Sequence, residues 1–127
     1  MTLPTVLLPR FIAAEPEYIG YDSPDQCLDP DYFNQYSQPV TYRFNSRGFR
    51  DTEWPLDLQN AVWCIGDSFT LGMGTPEQRT WPAQLSQITG RRCINISLPG
   101  ASNAWIARTA AAVIKEVQPQ HMVIQWS

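Results

Sequence analysis

The stretch VWCIGDSFTLGMG, residues 62–74, decides the expected fold of this chain. It begins with a short, continuously apolar run, which is typical of a strand that is buried on both faces of a parallel sheet. Ser68 follows this run after only two residues, and three glycines surround it: Gly66, Gly72 and Gly74. Because small residues let the backbone turn sharply and let a substrate approach, the pattern predicts a serine presented on a tight strand-to-helix turn.

The chain after Leu58 alternates between strand-like and helix-like patterns. Strands are predicted over residues 60–66, 92–97 and 122–127, and helices over residues 80–90 and 101–117. This alternation predicts a parallel sheet with right-handed crossovers in a three-layer α/β/α sandwich. We therefore assign residues 59–127 to an α/β domain.

The two predicted helices carry signals at their ends. Pro82 is tolerated in the first turn of the first helix, and Gly90 is a typical C-terminal stop. Either Ser102 or Asn103 is expected to cap the second helix. The second helix also has an apolar stripe with i, i+3, i+4 spacing, formed by Trp105, Ile106, Thr109, Ala110, Val113, Ile114 and Val117.

Residues 1–58 are crowded with proline, aspartate and tyrosine and show no helical period. Proline with Asp, Asn and Ser clusters predicts turns, including one at Gly48. The one strand-like piece covers residues 40–45, in which Val40, Tyr42 and Phe44 alternate with polar residues. We predict an irregular N-terminal arm packed on the core by its aromatic residues, since a disordered tail rarely carries so many. A partner-binding surface is the alternative role for five of them: Tyr18, Tyr21, Tyr32, Phe33 and Tyr36.

Charge and composition exclude several classes of function. The net charge is -3, with nine acids against four bases in residues 1–60, so nucleic acid is not an expected partner. No apolar run approaches the roughly 20 residues that span a bilayer, so no membrane span is predicted. The first residues lack the basic region of a signal peptide, which favours a cytoplasmic protein.

The cysteines favour neither a disulfide framework nor a metal site. Cys27, Cys64 and Cys93 are widely spaced and form no CxxC pair or Cys/His cluster. Two of them lie in predicted strands and are expected to be small buried hydrophobes. No metal and no cofactor is predicted. A phosphate or nucleotide site at GDSFTLGMG ranks last, because the stretch has neither dinucleotide-binding spacing nor the Lys-Ser/Thr ending of a P-loop.

The ends of the first two core strands hold the candidate chemistry. Ligands of open parallel sheets bind just beyond the carboxyl ends of the strands, where Ser68 and the loop with Gly100 are expected. The N–H groups of both residues suit stabilisation of an oxyanion during acyl transfer. Two alternatives need no chemistry: Ser68 as a helix N-cap, and Pro99-Gly100 as a simple turn. Asp67 is expected to accept hydrogen bonds from neighbouring loop N–H groups and hold the turn.

Three pieces of the sequence resemble the first two signature blocks of the SGNH (GDSL-type) hydrolase superfamily: GDSFTLG, the WP..L after it, and N.S.PG.S. The N.RGFRD at residues 45–51 is similar to a lead-in seen ahead of the GDS block in some bacterial and phage members. The resemblance covers residues 45–127 and implies a flavodoxin-like α/β/α fold, whose usual strand order places the third core strand beside the first. It also implies that Ser68 is the nucleophile and an oxyanion N–H donor, that Gly100 is a second donor, and that Gly66 and Asp67 support the turn.

Two further family blocks have no counterpart in these 127 residues. They are G-x-N-D, which supplies an oxyanion asparagine, and D-x-x-H, which supplies the base and its orienting acid. The single histidine, His121, begins the third core strand and is therefore expected at the end of the sheet opposite Ser68.

These sequence features predict the N-terminal portion of a serine esterase or acyl hydrolase, truncated after the third core strand and inactive alone. Its substrate would be an ester of a sugar or a lipid. A non-catalytic binding or assembly module that keeps half of the fold is the alternative. An uncovered edge at residues 122–127 also predicts self-association.

Overall fold

The computed structural model describes residues 17–20 and 40–127, which have a mixed α/β architecture. Strands β1 (Glu17–Gly20) and β2 (Val40–Arg43) form an antiparallel pair, in which Tyr18 lies opposite Tyr42. The predicted strand over residues 40–45 is therefore two residues shorter. It ends because Asn45 starts a tight turn, in which the Gly48 N–H donates to the Asn45 carbonyl at 2.9 Å.

A second sheet has three parallel strands, β3 (Val62–Gly66), β4 (Cys93–Ser97) and β5 (His121–Ile124). The strand order is β4-β3-β5, so the first core strand is central and the third lies beside it, as predicted. Every residue of β3 and β4 is buried, as the continuously apolar pattern of β3 predicted. The predicted parallel sheet is confirmed for the described residues.

The helices follow the strands in alternation. Helix α1 (Ser68–Leu71) comes directly after β3, followed by a 3-10 turn at Glu77–Arg79 and by α2 (Trp81–Thr89). Helix α3 (Asn103–Val117) lies between β4 and β5. Gly90 ends α2 with a φ of 68°, and Ser102 caps α3 by accepting from the Trp105 N–H at 3.2 Å, which decides between the two predicted caps.

Helices cover both faces of the parallel sheet. Successive side chains of each strand point to opposite faces, so the two sets of side chains pack against different helices. On one face, Trp63 and Ile65 of β3 pack with residues of β4 and α3 in the larger core cluster. On the other face, Val62, Cys64 and Cys93 pack against two side chains of α2, Trp81 and Leu85. Because the three strands are parallel, their carboxyl ends lie at the same edge of the sheet.

The segment that leads into β3 packs on the larger core cluster. Phe49 and Trp54 are stacked with ring centroids 5.9 Å apart, and Trp54 meets Trp63 edge-on at 5.3 Å. The indole N–H of Trp63 donates to the Leu58 carbonyl at 2.9 Å. Residues 49–58 of the predicted arm thus share the core of the α/β unit.

Three further expectations differ from the structure. The arm is not irregular throughout, because β1 adds a strand that its short sequence, EYIG, did not signal. The third core strand ends at Ile124 instead of residue 127, because the end of the chain bonds the start of α3 instead of β3. The Ser127 N–H donates to Asn103 Oδ1 at 2.7 Å. Ile114 is 56% exposed, since it lies at the edge of the α3 stripe whose centre faces the sheet.

Several predictions fall on residues outside the described part. They concern Cys27 and the side chains of Tyr18, Tyr21, Tyr32, Phe33 and Tyr36.

Within the described ranges, every helix is too short or too polar to cross a bilayer. Strand β5 forms one edge of the three-stranded sheet, and Val123 on it is 41% exposed. Self-association through residues 122–127 stays a prediction.

Candidate active site

Ser68 is the first residue of α1, immediately beyond the central strand. Asp67 is the N-cap of this helix, and its carboxylate accepts from the Phe69 N–H at 2.9 Å, as expected for a residue that holds the turn. The alternative in which Ser68 is itself the N-cap is therefore wrong. Ser68 is half-buried, and its hydroxyl makes no hydrogen bond to another described residue. The serine thus lies at a strand end, and its hydroxyl has no hydrogen-bond partner among the described residues.

Glycine is required at two positions around Ser68. A Cβ on Gly66 would lie 1.9 Å from the Thr70 hydroxyl oxygen, which is an impossible contact. Gly72 ends α1 with a φ of 81°, and a Cβ there would lie 2.3 Å from a methyl carbon of Thr80. The glycines flanking the serine therefore let the turn and α1 pack tightly against their neighbours.

The loop with Gly100 lies beside this turn. Gly66 pairs with Ser97 at the ends of β3 and β4, and the Leu98 N–H donates to the Gly66 carbonyl at 3.3 Å. Gly100 has a φ of 71° in a turn closed by a bond from the Ala101 N–H to the Leu98 carbonyl at 3.0 Å. Gly100 is exposed, and no described residue accepts a hydrogen bond from its N–H. Both predicted oxyanion donors therefore lie at neighbouring strand ends.

Thr70 connects α1 to its surroundings through a polar network. Its hydroxyl donates to Gln125 Oε1 at 2.6 Å and accepts from the indole N–H of Trp81 at 3.0 Å. Its carbonyl accepts from the side-chain amide of Asn95 at 3.0 Å, and Asn95 Oδ1 in turn accepts from the Ser97 hydroxyl at 2.6 Å. The short helix is thereby bonded to β4 and to the chain that follows β5.

Arg50 is a buried cation beside α1, and it is only 1% exposed. Its guanidinium donates to four backbone carbonyl oxygens: those of Leu71 at 3.0 Å, Gly72 at 2.7 Å, Thr75 at 2.8 Å and Thr41 at 3.2 Å. It also lies over the Tyr42 ring, 4.4 Å from the centroid. In the sequence this arginine stands out only as part of N.RGFRD, because nothing in the local pattern separates a buried arginine from a solvated one.

Asp51, the next residue, contacts the second strand of the site. Its carboxylate accepts from the Asn95 N–H of β4 at 3.0 Å and forms an ion pair with Arg92 at 3.0 Å. Burial raises the pKa of Asp51 above its ordinary value, although the Asn95 N–H and Arg92 both act in the opposite direction. The sequence pattern predicted no role for this aspartate either.

The remaining titratable groups are poor partners for Ser68. His121 pairs with Val62 at the start of β3, about 13 Å of strand from Gly66, as its position in the sequence predicted. Cys64 and Cys93 are free and buried, and burial raises the pKa of the Cys64 thiol, which keeps it protonated. Among the described residues, no three His, Cys, Asp or Glu side chains are grouped to hold a metal ion.

No protein-family model matches this chain, and neither a curated protein nor a solved structure matches it. The likeness to SGNH hydrolases therefore depends on the motifs and on the positions at which the fold presents them.

Proposed function

We propose that this chain carries the nucleophile and two oxyanion donors of an SGNH-type serine ester hydrolase with a flavodoxin-like α/β/α fold. The observation that supports this most is Ser68 itself. It follows the central strand of a parallel sheet, its hydroxyl is uncommitted among the described residues, and Gly66 is sterically required beside it. Strand ends of this kind are where α/β proteins bind their ligands.

In the proposed reaction, Ser68 Oγ attacks the ester carbonyl carbon and forms a new C–O bond. The carbonyl electron pair moves to its oxygen, which accepts hydrogen bonds from the N–H groups of Ser68 and Gly100. The serine proton passes to an imidazole from residues outside this sequence, as the D-x-x-H block of the family implies. The oxyanion electron pair then reforms the carbonyl, the C–O bond to the alcohol breaks, and the imidazole gives its proton to the departing alcohol oxygen. An acyl-serine remains. Water then hydrolyses this acyl-serine, again with proton transfer through the imidazole.

Exposed apolar side chains next to Ser68 support an acyl group as the bound part of the substrate. Phe69 is 75% exposed, and Met73, two residues after the end of α1, is 53% exposed. An acyl chain that covers these side chains would remove apolar surface from water. An acylated sugar or a lipid ester provides such a chain.

The test uses a fluorophosphonate probe, which forms a covalent bond with activated serines, followed by intact-mass measurement and peptide mapping. We expect background turnover of p-nitrophenyl butyrate by the chain alone, and slow labelling at Ser68 that added imidazole accelerates. Ser68→Ala should abolish the adduct, whereas Ser46→Ala, which removes an exposed serine of the lead-in, should not. Labelling that persists in Ser68→Ala, or none at all with imidazole, would refute the proposal.

A non-catalytic assembly module is a second candidate, favoured by the position of β5 at the sheet edge with Val123 exposed. An open strand edge pairs readily with another chain. Light scattering at micromolar concentration should then show an oligomer that Val123→Lys dissociates. A monodisperse monomer would remove this candidate.

A further inference from the structure

The contacts of Arg50 extend to the residues that orient Ser68. Helix α1 has only four residues, and a single helical turn is not stable through its own hydrogen bonds. The Ser68 carbonyl accepts from the N–H groups of Gly72 at 2.9 Å and Met73 at 3.1 Å. Gly72 is also the residue whose own carbonyl Arg50 holds at 2.7 Å. Arg50 therefore bonds the carbonyls of the two peptide groups, Leu71–Gly72 and Gly72–Met73, whose N–H groups donate to the Ser68 carbonyl.

We propose that Arg50 is the positioning residue of this site, holding the end of α1 by its carbonyls and so fixing the directions of the Ser68 N–H and hydroxyl. The role as a positioning residue for a nucleophile rests on the proposed function. The mechanical part, that Arg50 orders α1, stands without it.

The geometry suits an arginine and no other residue. One nitrogen, Nη1, donates to the carbonyls of Leu71 and Gly72 at the end of α1, where a positive charge is favourable. The other, Nη2, donates to Thr75 and Thr41, which anchor the guanidinium to the next turn and to β2. Lysine keeps the charge but offers its donors from a single nitrogen and cannot span both pairs.

Tyr42 contacts both Arg50 and the chain that follows α1. Its ring lies under the guanidinium, and its hydroxyl accepts from the Gly74 N–H at 2.7 Å. The chain after α1 is therefore held on both sides of Gly72. Because Asp51 bonds β4 through Asn95, neighbouring residues of one segment hold the elements that carry the two oxyanion donors.

Hydrogen exchange of the full-length chain tests the mechanical part. In Arg50→Lys, the amides of Leu71, Gly72 and Met73 should exchange at least tenfold faster than in the wild type. The sheet amides of Val62 and Leu98 should change less than twofold. Arg43→Ala is the matched control, because Arg43 lies on the same segment and its side chain bonds, within residues 40–127, only Glu77, in an exposed ion pair at 3.3 Å. Equal acceleration of both sets of amides would overturn the proposal.

Fluorophosphonate labelling tests the link to Ser68. In Arg50→Lys, the maximal labelling rate should fall at least tenfold while the probe concentration for half-maximal rate stays the same, since positioning changes the reacting geometry and not binding. An unchanged rate would overturn the proposal. If the exchange result is as expected but wild-type Ser68 does not label, the proposed function fails while the ordering role of Arg50 stands.

If Arg50→Lys does not fold, hydrogen exchange of the wild-type chain tests the ordering role of Arg50. A clamped α1 requires that the Gly72 and Met73 amides exchange within tenfold of the rate of the sheet amides. Free exchange of these amides, as in an unsupported single turn, would contradict the proposal.

Discussion

The chain leaves β3 and β4 in two different ways, although the two strands end side by side. After β3, the turn to Ser68 and α1 are held by side chains: Asp67 caps the helix, Thr70 bonds Gln125, and Arg50 holds its last carbonyls. After β4, the only hydrogen bonds that residues 98–101 make with described residues are backbone bonds; Leu98 and Ala101 pack on the larger core cluster, and Pro99 and Gly100 are exposed. One candidate oxyanion donor thus lies in a turn that side-chain hydrogen bonds hold, and the other lies in an exposed turn between two packed residues.

The difference matches the different requirements of a nucleophile and of a loop N–H donor. A nucleophile must be placed within a few tenths of an ångström, so its supporting residues are buried and bonded. An exposed loop donor can adjust to the carbonyl oxygen of a substrate. Substitutions should therefore cost more stability on the Ser68 side than at equivalent positions on the Gly100 side.

The largest contrast is expected between Gly66→Ala and Gly100→Ala. The first change forces a methyl group into the Thr70 hydroxyl and should lower the free energy of unfolding by about 3 kcal/mol. The second meets open space and bears only the strain of a positive φ, which costs about 1 kcal/mol. Urea denaturation followed by circular dichroism measures both. Equal losses would show that the two strand ends are not supported differently.

The next effect concerns Thr70→Val, which keeps the shape but removes the hydroxyl. Gln125 loses its donor and the Trp81 indole N–H loses its acceptor, so we expect a loss of about 2 kcal/mol. Thr89→Val is the control, since Thr89 is exposed and the bonds of its hydroxyl to described residues stay within its own helix and Arg91. A Thr70 variant as stable as this control would mean that the network does not hold α1.

A smaller, pH-dependent effect is expected at Asp51. Because its pKa is raised in the folded state, the folded chain keeps this proton to higher pH than the unfolded chain. The contribution of Asp51 to stability is thus full below about pH 4, its ordinary range, and falls as pH rises through the raised pKa. Relative to Asp51→Asn, the wild type should lose stability from pH 4 upwards, by at most about 1.4 kcal/mol per pH unit.

Urea denaturation at intervals from pH 4 to pH 7 measures this difference. Asp57→Asn, which removes an exposed carboxylate, controls for the loss of one charge. If the wild type gains stability over Asp51→Asn as the pH rises, the ion pair with Arg92 outweighs burial and the expected sign is wrong.

The smallest expected effect concerns the exposed contact between Ser46 and Glu53, which lies in the segment before β3. The Ser46 hydroxyl and N–H both donate to the Glu53 carboxylate at 2.7 Å and hold the pKa of this exposed group below its ordinary value. Ser46→Ala removes the hydroxyl bond and should raise that pKa towards its ordinary value. A carbon-detected NMR titration of the Glu53 carboxyl measures it, and stability at pH 7 should barely change. An unchanged pKa would show that the Ser46 hydroxyl bond is not formed in solution.

The sequence predicted the sheet because its signals are local. The apolar run of β3, Gly90 after α2 and the stripe of α3 each report on a few neighbouring residues, and those elements formed within one or two residues of their expected bounds. The positions of Ser68 and Gly100 at strand ends followed from the same alternation, since parallel strands align their carboxyl ends.

The support of the site was not predictable, because it depends on distant partners. Arg50 and Asp51 are both charged and stand in a turn-rich segment, which normally indicates exposure. Apart from Thr41 and Tyr42 of β2, the partners of Arg50 lie 21 to 25 residues away, and Asp51 bonds Asn95 at a separation of 44 residues. Strand β1 was missed for a similar reason, since a four-residue strand is defined by its partner β2 more than by its own composition.

The bond between Thr70 and Gln125 also has a consequence for the order of folding. It joins residues 55 positions apart, and so it cannot form before β5 has docked on β3. Contacts that close such long loops tend to form late. Removing this bond should therefore speed unfolding and leave the refolding rate nearly unchanged. On this view the sheet assembles first, and Ser68 acquires its final geometry only in the last step of folding.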